Sequence, residues 1–515
     1  MNIAFIPIDN RPVCYTLPEQ VCAINSSINL FMPERKYLGS LTKYADVDKI
    51  FEWLEKIPQV DAIVMCLDTV AYGGLISSRR CPDTFDEIKN RVENLKSILE
   101  KKNAKIYAFS SIMRISNNNV NEEEKEYWDK WGKKIFDYSY QTHKLGTESC
   151  ISNIIPSEIL DDYLATRKRN FEINKLYLEY QKQGLFDTLV FSKDDCAEYG
   201  FNVQEAQVLE KLGGFIKTGA DEIPLTLLAR AVVKFFDAKM QRCEDAKSFT
   251  EPVAQSRHCE CERSNSVNSK VVGRDYCFDD ETSLKISPIF LAPEYKGLIS
   301  NYEDVSIEKS VKGQLELAGC KVCEPDEADI LLYVNNFEDH QGEIVMKVPT
   351  KPFSKKWQRP EKPYMIADVR YANGADNEFV KQLFEVGLGD NFYGYSAWNT
   401  SANSLGSLIC GAVVKYYGFK LQRCQDDNSK TVDRDYYPDN KNENFLKLQT
   451  IRFLDDWAYQ ANVRQELNSP DEKLVKEKMK PYEKMVFGLL GVAYNINYKF
   501  TWNRLFEVEI CILSN

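Results

Sequence analysis

A chain of 515 residues exceeds the size at which one core normally stops growing, which implies one large α/β unit with insertions or two to three domains. Hydrophobic residues make up 43% and aromatics 12%, enough for a substantial core, and 77 acidic against 66 basic residues give a formal charge of -11. That acidity is spread along the chain and no Lys/Arg cluster stands out, which argues against a nucleic-acid partner.

The N-terminus, MNIAFIPIDNRP, has no basic leader and turns polar within one short segment, so it reads as a first buried strand and not as a signal peptide. Further strands are expected at 28–33, 61–67, 105–112, 188–192 and 213–219, separated by helical patterns such as DKIFEWLEKI and FDEIKNRVENLKSILEKK. Continuous apolar strands alternating with helices indicate a parallel sheet covered on both faces. The pattern resumes with strands at 287–293, 328–336, 363–369 and 391–398, followed by the helix-like LICGAVVKYY. From about residue 446 the chain reads as helical and ends in FTWNRLFEVEICIL, an edge strand.

Six strands before residue 239, joined by those at 363–369 and 391–398, give a (β/α)8-like barrel with an inserted α/β segment. The alternative is two or three Rossmann-like layers. The corresponding parts are 1–238 and 351–420 for the main unit, 284–350 for the inserted segment, and 446–515 for the C-terminal segment. Two polar stretches, 239–283 and 421–445, lack periodicity and read as disordered surface additions. They echo each other: QRCEDAKS against QRCQDDNSK, and VVGRDYCFDDE against TVDRDYYPDNKNE.

No apolar run approaches the ~18 residues of a membrane span, so the expectation is a soluble, cytoplasmic protein without a membrane partner. An odd count of 15 cysteines argues for reduced thiols, several acting as small hydrophobes, such as Cys66 and Cys511. His258, Cys259 and Cys261, with Cys243 and Cys277 nearby, match no standard zinc spacing. With only three histidines, none placed after a strand, acid-base chemistry falls to carboxylates, and no cofactor is expected.

Polar residues recur just past the strands: Asp9 and Arg11; Asp68, Tyr72 and Arg79; Arg114; Asp194 and Asp195; Asp221 and Glu222; Asp368, Asn373 and Asp376; Trp398, Asn399 and Asn403. One such residue is usually a turn or a helix cap. Recurrence at seven strand ends, on the face where parallel α/β folds bind ligands, points to one polar site. Neighbours on extended backbone face opposite sides, so one member of each acidic pair should face the site and the other the interior. Arg167 and Asn174 interrupt an apolar stripe on the helix that also carries Asn170, either snorkelling to water or reaching the site from behind. Asp456 and Arg464 in FLDDWAYQANVR pose the same choice.

PIDNRPVC, YGGLISSR, IMRIS, RKRN, SKDDCAEYG, GADE, DVRYANGAD, AWNTSANSLG and WNRLFE, in this order, resemble the motifs of a mainly bacterial group, the domain-of-unknown-function family 4127. The resemblance spans nearly the whole chain apart from the two polar stretches. It departs at Asn10, where the family usually has Asp, and at Ala397, where it has Gly. It implies that these segments act as one ensemble and brings no activity with it.

Three chemistries suit the ensemble. The first is a glycoside hydrolase-like enzyme acting on a glycoside or amino-sugar conjugate. Asp194, Asp195, Asp221 and Glu222 would supply the acid-base pair, with Trp398 as a stacking wall and the remaining polar residues as substrate contacts. The second is a hydrolase or phosphoryl-transfer enzyme holding Mg²⁺ or Mn²⁺ on Asp9, Asp68, Asp194, Asp368 and Asp376. The third is a non-catalytic sugar or small-molecule binder. All three imply a small-molecule or oligosaccharide partner.

Overall fold

The computed structural model describes residues 1–194, 197–248, 283–426 and 442–513. Asp195, the Cys259/Cys261 group and most of the two polar stretches lie outside the described residues. β1 (Asn2–Ile6), β2 (Asn29–Phe31), β3 (Ala62–Cys66), β4 (Lys105–Ile112), β5 (Thr188–Lys193) and β6 (Phe215–Thr218) form a parallel sheet in the order β2-β1-β3-β4-β5-β6. Next come β7 (Lys285–Phe290), β8 (Lys321–Val322), β9 (Ile330–Asn335), β10 (Gly342–Glu343), β11 (Tyr364–Asp368), β12 (Tyr371–Ala372) and β13 (Phe392–Ser396). Five of these make a second parallel sheet, β13-β11-β9-β7-β8, while β10 and β12 pair separately.

In both sheets the first strand lies between the second and third, the doubly wound order of flavodoxin-like units. The strands at 364–368 and 392–396, which the barrel reading adds to the first six, belong to the second sheet: Tyr364 lies opposite Leu331 and Asp368 opposite Asn335. The pairings give two separate parallel sheets and do not show a barrel. Residues 284–350, expected as an insertion, supply the middle of that second sheet.

Strand faces alternate as a sheet covered on both sides requires. Ile3 and Phe5 of β1 point into the core shared with the second sheet, and Ala4 and Ile6 into the core of the opposite face. Two 26-residue helices, Ile223–Ser248 and Ser401–Asp426, each follow the last strand of a sheet and pack on one another. Leu228, Val232 and Phe236 from one, with Leu405, Ile409 and Val413 from the other, merge the sheets into one core. The phrases QRCEDAKS and QRCQDDNSK begin at residues 241 and 422, equivalent places at the ends of these helices.

A loop from the second half clamps the halves together. Asp304 accepts from Lys193 and, at 3.1 Å, from the Thr218 hydroxyl, while Glu303 accepts from the Ala402 N–H at 2.7 Å. At the C-terminus β14 (Asn495–Phe500) and β15 (Val508–Leu513) form an antiparallel hairpin, where one edge strand was expected. Among the described residues no helix is long and apolar enough to cross a membrane.

Candidate functional site

Residues that follow the carboxyl ends of strands from both sheets line one cavity of about 510 Å³. Arg11 comes from beyond β1, Arg79 from beyond β3, Arg114 from beyond β4, Asp194 from just past β5 and Asp221 from beyond β6. The second half contributes Tyr302, Asn373, Asn399, Thr400 and Asn403, and the C-terminal segment contributes Arg464, Arg504 and Phe506.

The loop after β6 shows how local structure sets the site. Gly219 donates to the Lys193 carbonyl at 2.9 Å and adopts φ +104, where a side chain would also press on Asn403. The Asn403 amide oxygen accepts from Ala220 N–H at 3.2 Å. These contacts turn Asp221 toward the cavity and Glu222 into the interior, where Glu222 accepts from Ser407 N–H at 2.9 Å. Burial pushes Glu222 up to about 8. Of the second pair, Asp194 lines the cavity.

Arg11 is saturated. Its Nε reaches Asp9 at 2.8 Å, its two Nη atoms grip Asp221 at 3.0 and 2.6 Å, and Nη1 also reaches Glu507 at 3.1 Å. Three carboxylates around one guanidinium leave excess negative charge, and burial pushes Glu507 up to about 8. On the adjoining wall Arg79 meets Glu124 at 2.6 Å, and Arg114 meets Glu124 at 3.1 Å and Glu123 at 2.9 Å. Burial alone would raise Glu123, but Arg114, Arg79 and Arg504 outweigh it and hold Glu123 well below the usual carboxylate range.

The third wall is built by the hairpin turn WNRLFE. The Trp502 indole donates to Asn10 Oδ1 at 2.7 Å, an acceptor that Asp would equally provide. Arg504 lies between the Trp502 and Phe506 rings, 4.8 and 5.0 Å from their centroids. Its Nη1 meets Glu123 at 2.7 Å, whereas Nε and Nη2 are buried without an acceptor. Arg464 sits over Phe506 at 5.3 Å, donates to Gln460 at 2.9 Å and forms no ion pair with a described residue. Burial lowers its pKa.

Eight expected residues therefore line the cavity: Arg11, Arg79, Arg114, Asp194, Asp221, Asn373, Asn399 and Asn403. Asp9 stands behind Arg11. Trp398, expected as the sugar-facing wall, is 2% exposed and supports Phe506 instead, with ring centroids 5.5 Å apart. Ala397, whose N–H donates to Asp456 at 2.6 Å, uses only its backbone there, which Gly would match. Arg167 ties two helices by meeting Glu205 at 2.7 Å, away from the cavity. Asn170 donates to the Ser78 carbonyl at 2.9 Å and so braces the turn that carries Arg79.

Asp68 is buried against Ser111 N–H at 2.8 Å, with burial raising it to about 7, and Tyr72 is buried under Arg169. Asp368 is raised by burial and receives the Asn335 amide at 2.8 Å, while Asp376 caps the helix Asn377–Val386 through Glu378 N–H at 3.0 Å. Of the carboxylates of the metal alternative, Asp368 and Asp376 share the Asn335 amide, at 2.8 and 3.5 Å, while Asp9 holds Arg11 and Asp68 accepts from Ser111. Among the described residues no group of three or more His, Cys, Asp or Glu side chains is placed to hold a metal ion. The sequence leaves Arg464 open between solvent and the site, and does not single out Arg504, Phe506 or Glu507, although WNRLFE contains them.

No curated protein and no solved structure matches the chain. A family model described as a protein of unknown function, DUF4127, matches residues 3–511, and the chain belongs to that family.

Proposed function

We propose that this cavity is the active site of a carboxylate-based hydrolase acting on a glycoside or amino-sugar conjugate. The observation that carries the reading is that Asp194 and Asp221, from the ends of neighbouring parallel strands, line one cavity together with Asn373, Asn399, Asn403 and the Phe506 ring. Adjacent parallel strands run about 4.8 Å apart. Groups at their ends therefore suit the separation of about 5 to 9.5 Å used by glycosidase carboxylate pairs. Amides that bind hydroxyl groups and an apolar ring edge are what a sugar requires.

In this reading Asp221, held on both oxygens by Arg11, serves as the nucleophile or base. Asp194, on the same cavity wall and 3.7 Å from Arg114, would serve as the partner acid. Aryl glycosides and amino-sugar conjugates, assayed with and without EDTA, test the proposal. Turnover should survive chelation and fall at least ~100-fold in both Asp194→Asn and Asp221→Asn. Loss on chelation with recovery on Mn²⁺ would replace it with the metal-dependent mechanism.

A further inference from the structure

We propose that Arg464 and Arg504 form a subsite for a single anionic group on the substrate, so that the conjugate bound in the cavity is an acidic one. The inference rests on the reading of the cavity as a sugar site and names its substrate class. Every other arginine of the cavity is neutralised by its neighbours: Arg11 by Asp9, Asp221 and Glu507, Arg79 by Glu124, and Arg114 by Glu123 and Glu124. Of the lining carboxylates, Asp221 pairs with Arg11, Asp194 lies 3.7 Å from Arg114, Glu123 is shared by Arg114 and Arg504, and Glu122 stands 3.8 Å from Arg504.

Arg504 and Arg464 keep donors in reserve: Arg504 meets Glu123 through Nη1 alone, at 2.7 Å, and shares that carboxylate with Arg114, while Arg464 has no carboxylate partner among the described residues. The Arg504 side chain is only 10% exposed, yet its Nε and Nη2 have no acceptor. Arg464 has one neutral partner, Gln460, and no carboxylate within ion-pair distance among the described residues. Both guanidinium groups lie against the Phe506 ring, which fixes their planes and lowers the cost of ordering them. Two ordered guanidinium groups with spare N–H donors match a carboxylate or phosphate, which they can grip bidentately. A neutral hydroxyl would leave Arg464 without a counter-ion.

Isothermal titration of the full chain with glucuronate, glucose 6-phosphate and glucose tests this, alongside Arg464→Gln, Arg504→Gln and the exposed control Lys499→Gln. The expected result is binding of an acidic sugar but not of glucose. Each cavity variant should weaken that binding at least ~10-fold, with loss at high salt, and the control should leave it unchanged. Preference for glucuronate over glucose 6-phosphate, or the reverse, identifies the anion. Equal affinity for glucose and the acidic sugars, or binding unaffected in both variants, overturns the subsite. The hydrolase reading fails separately. Acidic sugars that bind through Arg464 while no conjugate is hydrolysed leave the subsite standing without it, and hydrolysis of neutral glycosides untouched by Arg464→Gln removes the subsite alone.

Discussion

The walls around Arg11 and around Arg464 hold the same functional group in opposite states. Arg11 has all of its donors directed at Asp9, Asp221, Glu507 and Cys14, while Arg464 and Arg504 sit against aromatic rings with donors to spare. A buried guanidinium left partly unpaired costs ~1–3 kcal/mol per unmatched group. On the proposed reading, the saturated wall positions Asp221 and the unsaturated wall receives the ligand.

The comparison breaks most visibly at Arg11. Arg11→Met strands three buried carboxylates, and urea unfolding should show a loss of about 3–5 kcal/mol or an insoluble chain. Asp221→Asn removes one charge from an over-acidic cluster. It should therefore cost no more than ~1–3 kcal/mol in the same measurement while abolishing turnover.

How far the sequence foretold these walls follows from where each residue's neighbours come from. The strands from β1 to β13 are legible because apolar runs bounded by turn residues announce themselves locally; only the two-residue strands β8, β10 and β12 escape. The pairing of β11 with β9 is not legible, because partners distant in sequence leave no local mark. Asp221 and Glu222 are recognisable as an acidic pair. Which one faces the cavity depends on Asn403 and Arg11, some two hundred residues away in either direction. Trp398 misleads because an aromatic at a strand end serves equally as core, and the Phe506 ring that buries it arrives from the C-terminal hairpin. The same hairpin brings Arg504 to the cavity by laying Trp502 on Asn10.

Acidity sharpens the contrast further. Glu222 titrates at about 8 in the folded chain against an ordinary value of 4.5. The folded chain thus keeps a proton there that the unfolded chain releases. Its contribution is fully present below pH 4.5 and declines as pH rises toward 8, by up to about 1.4 kcal/mol per unit. Glu507 behaves alike. Glu222→Gln should therefore match the parent in stability near pH 5 and exceed it near pH 8, as read by thermal unfolding at both values. The smallest effect belongs to the ligand wall. Arg464→Gln keeps its place beside Gln460 and removes an uncompensated charge, so its unfolding free energy should stay within ~1 kcal/mol of the parent.

A crystal structure of the chain soaked with glucuronate tests the central claim most directly. The account predicts a sugar ring in the cavity beside Asp194 and Asp221, with its carboxylate on Arg464 and Arg504. A sugar bound outside this cavity, or one turned with its carboxylate away from both arginines, would contradict it.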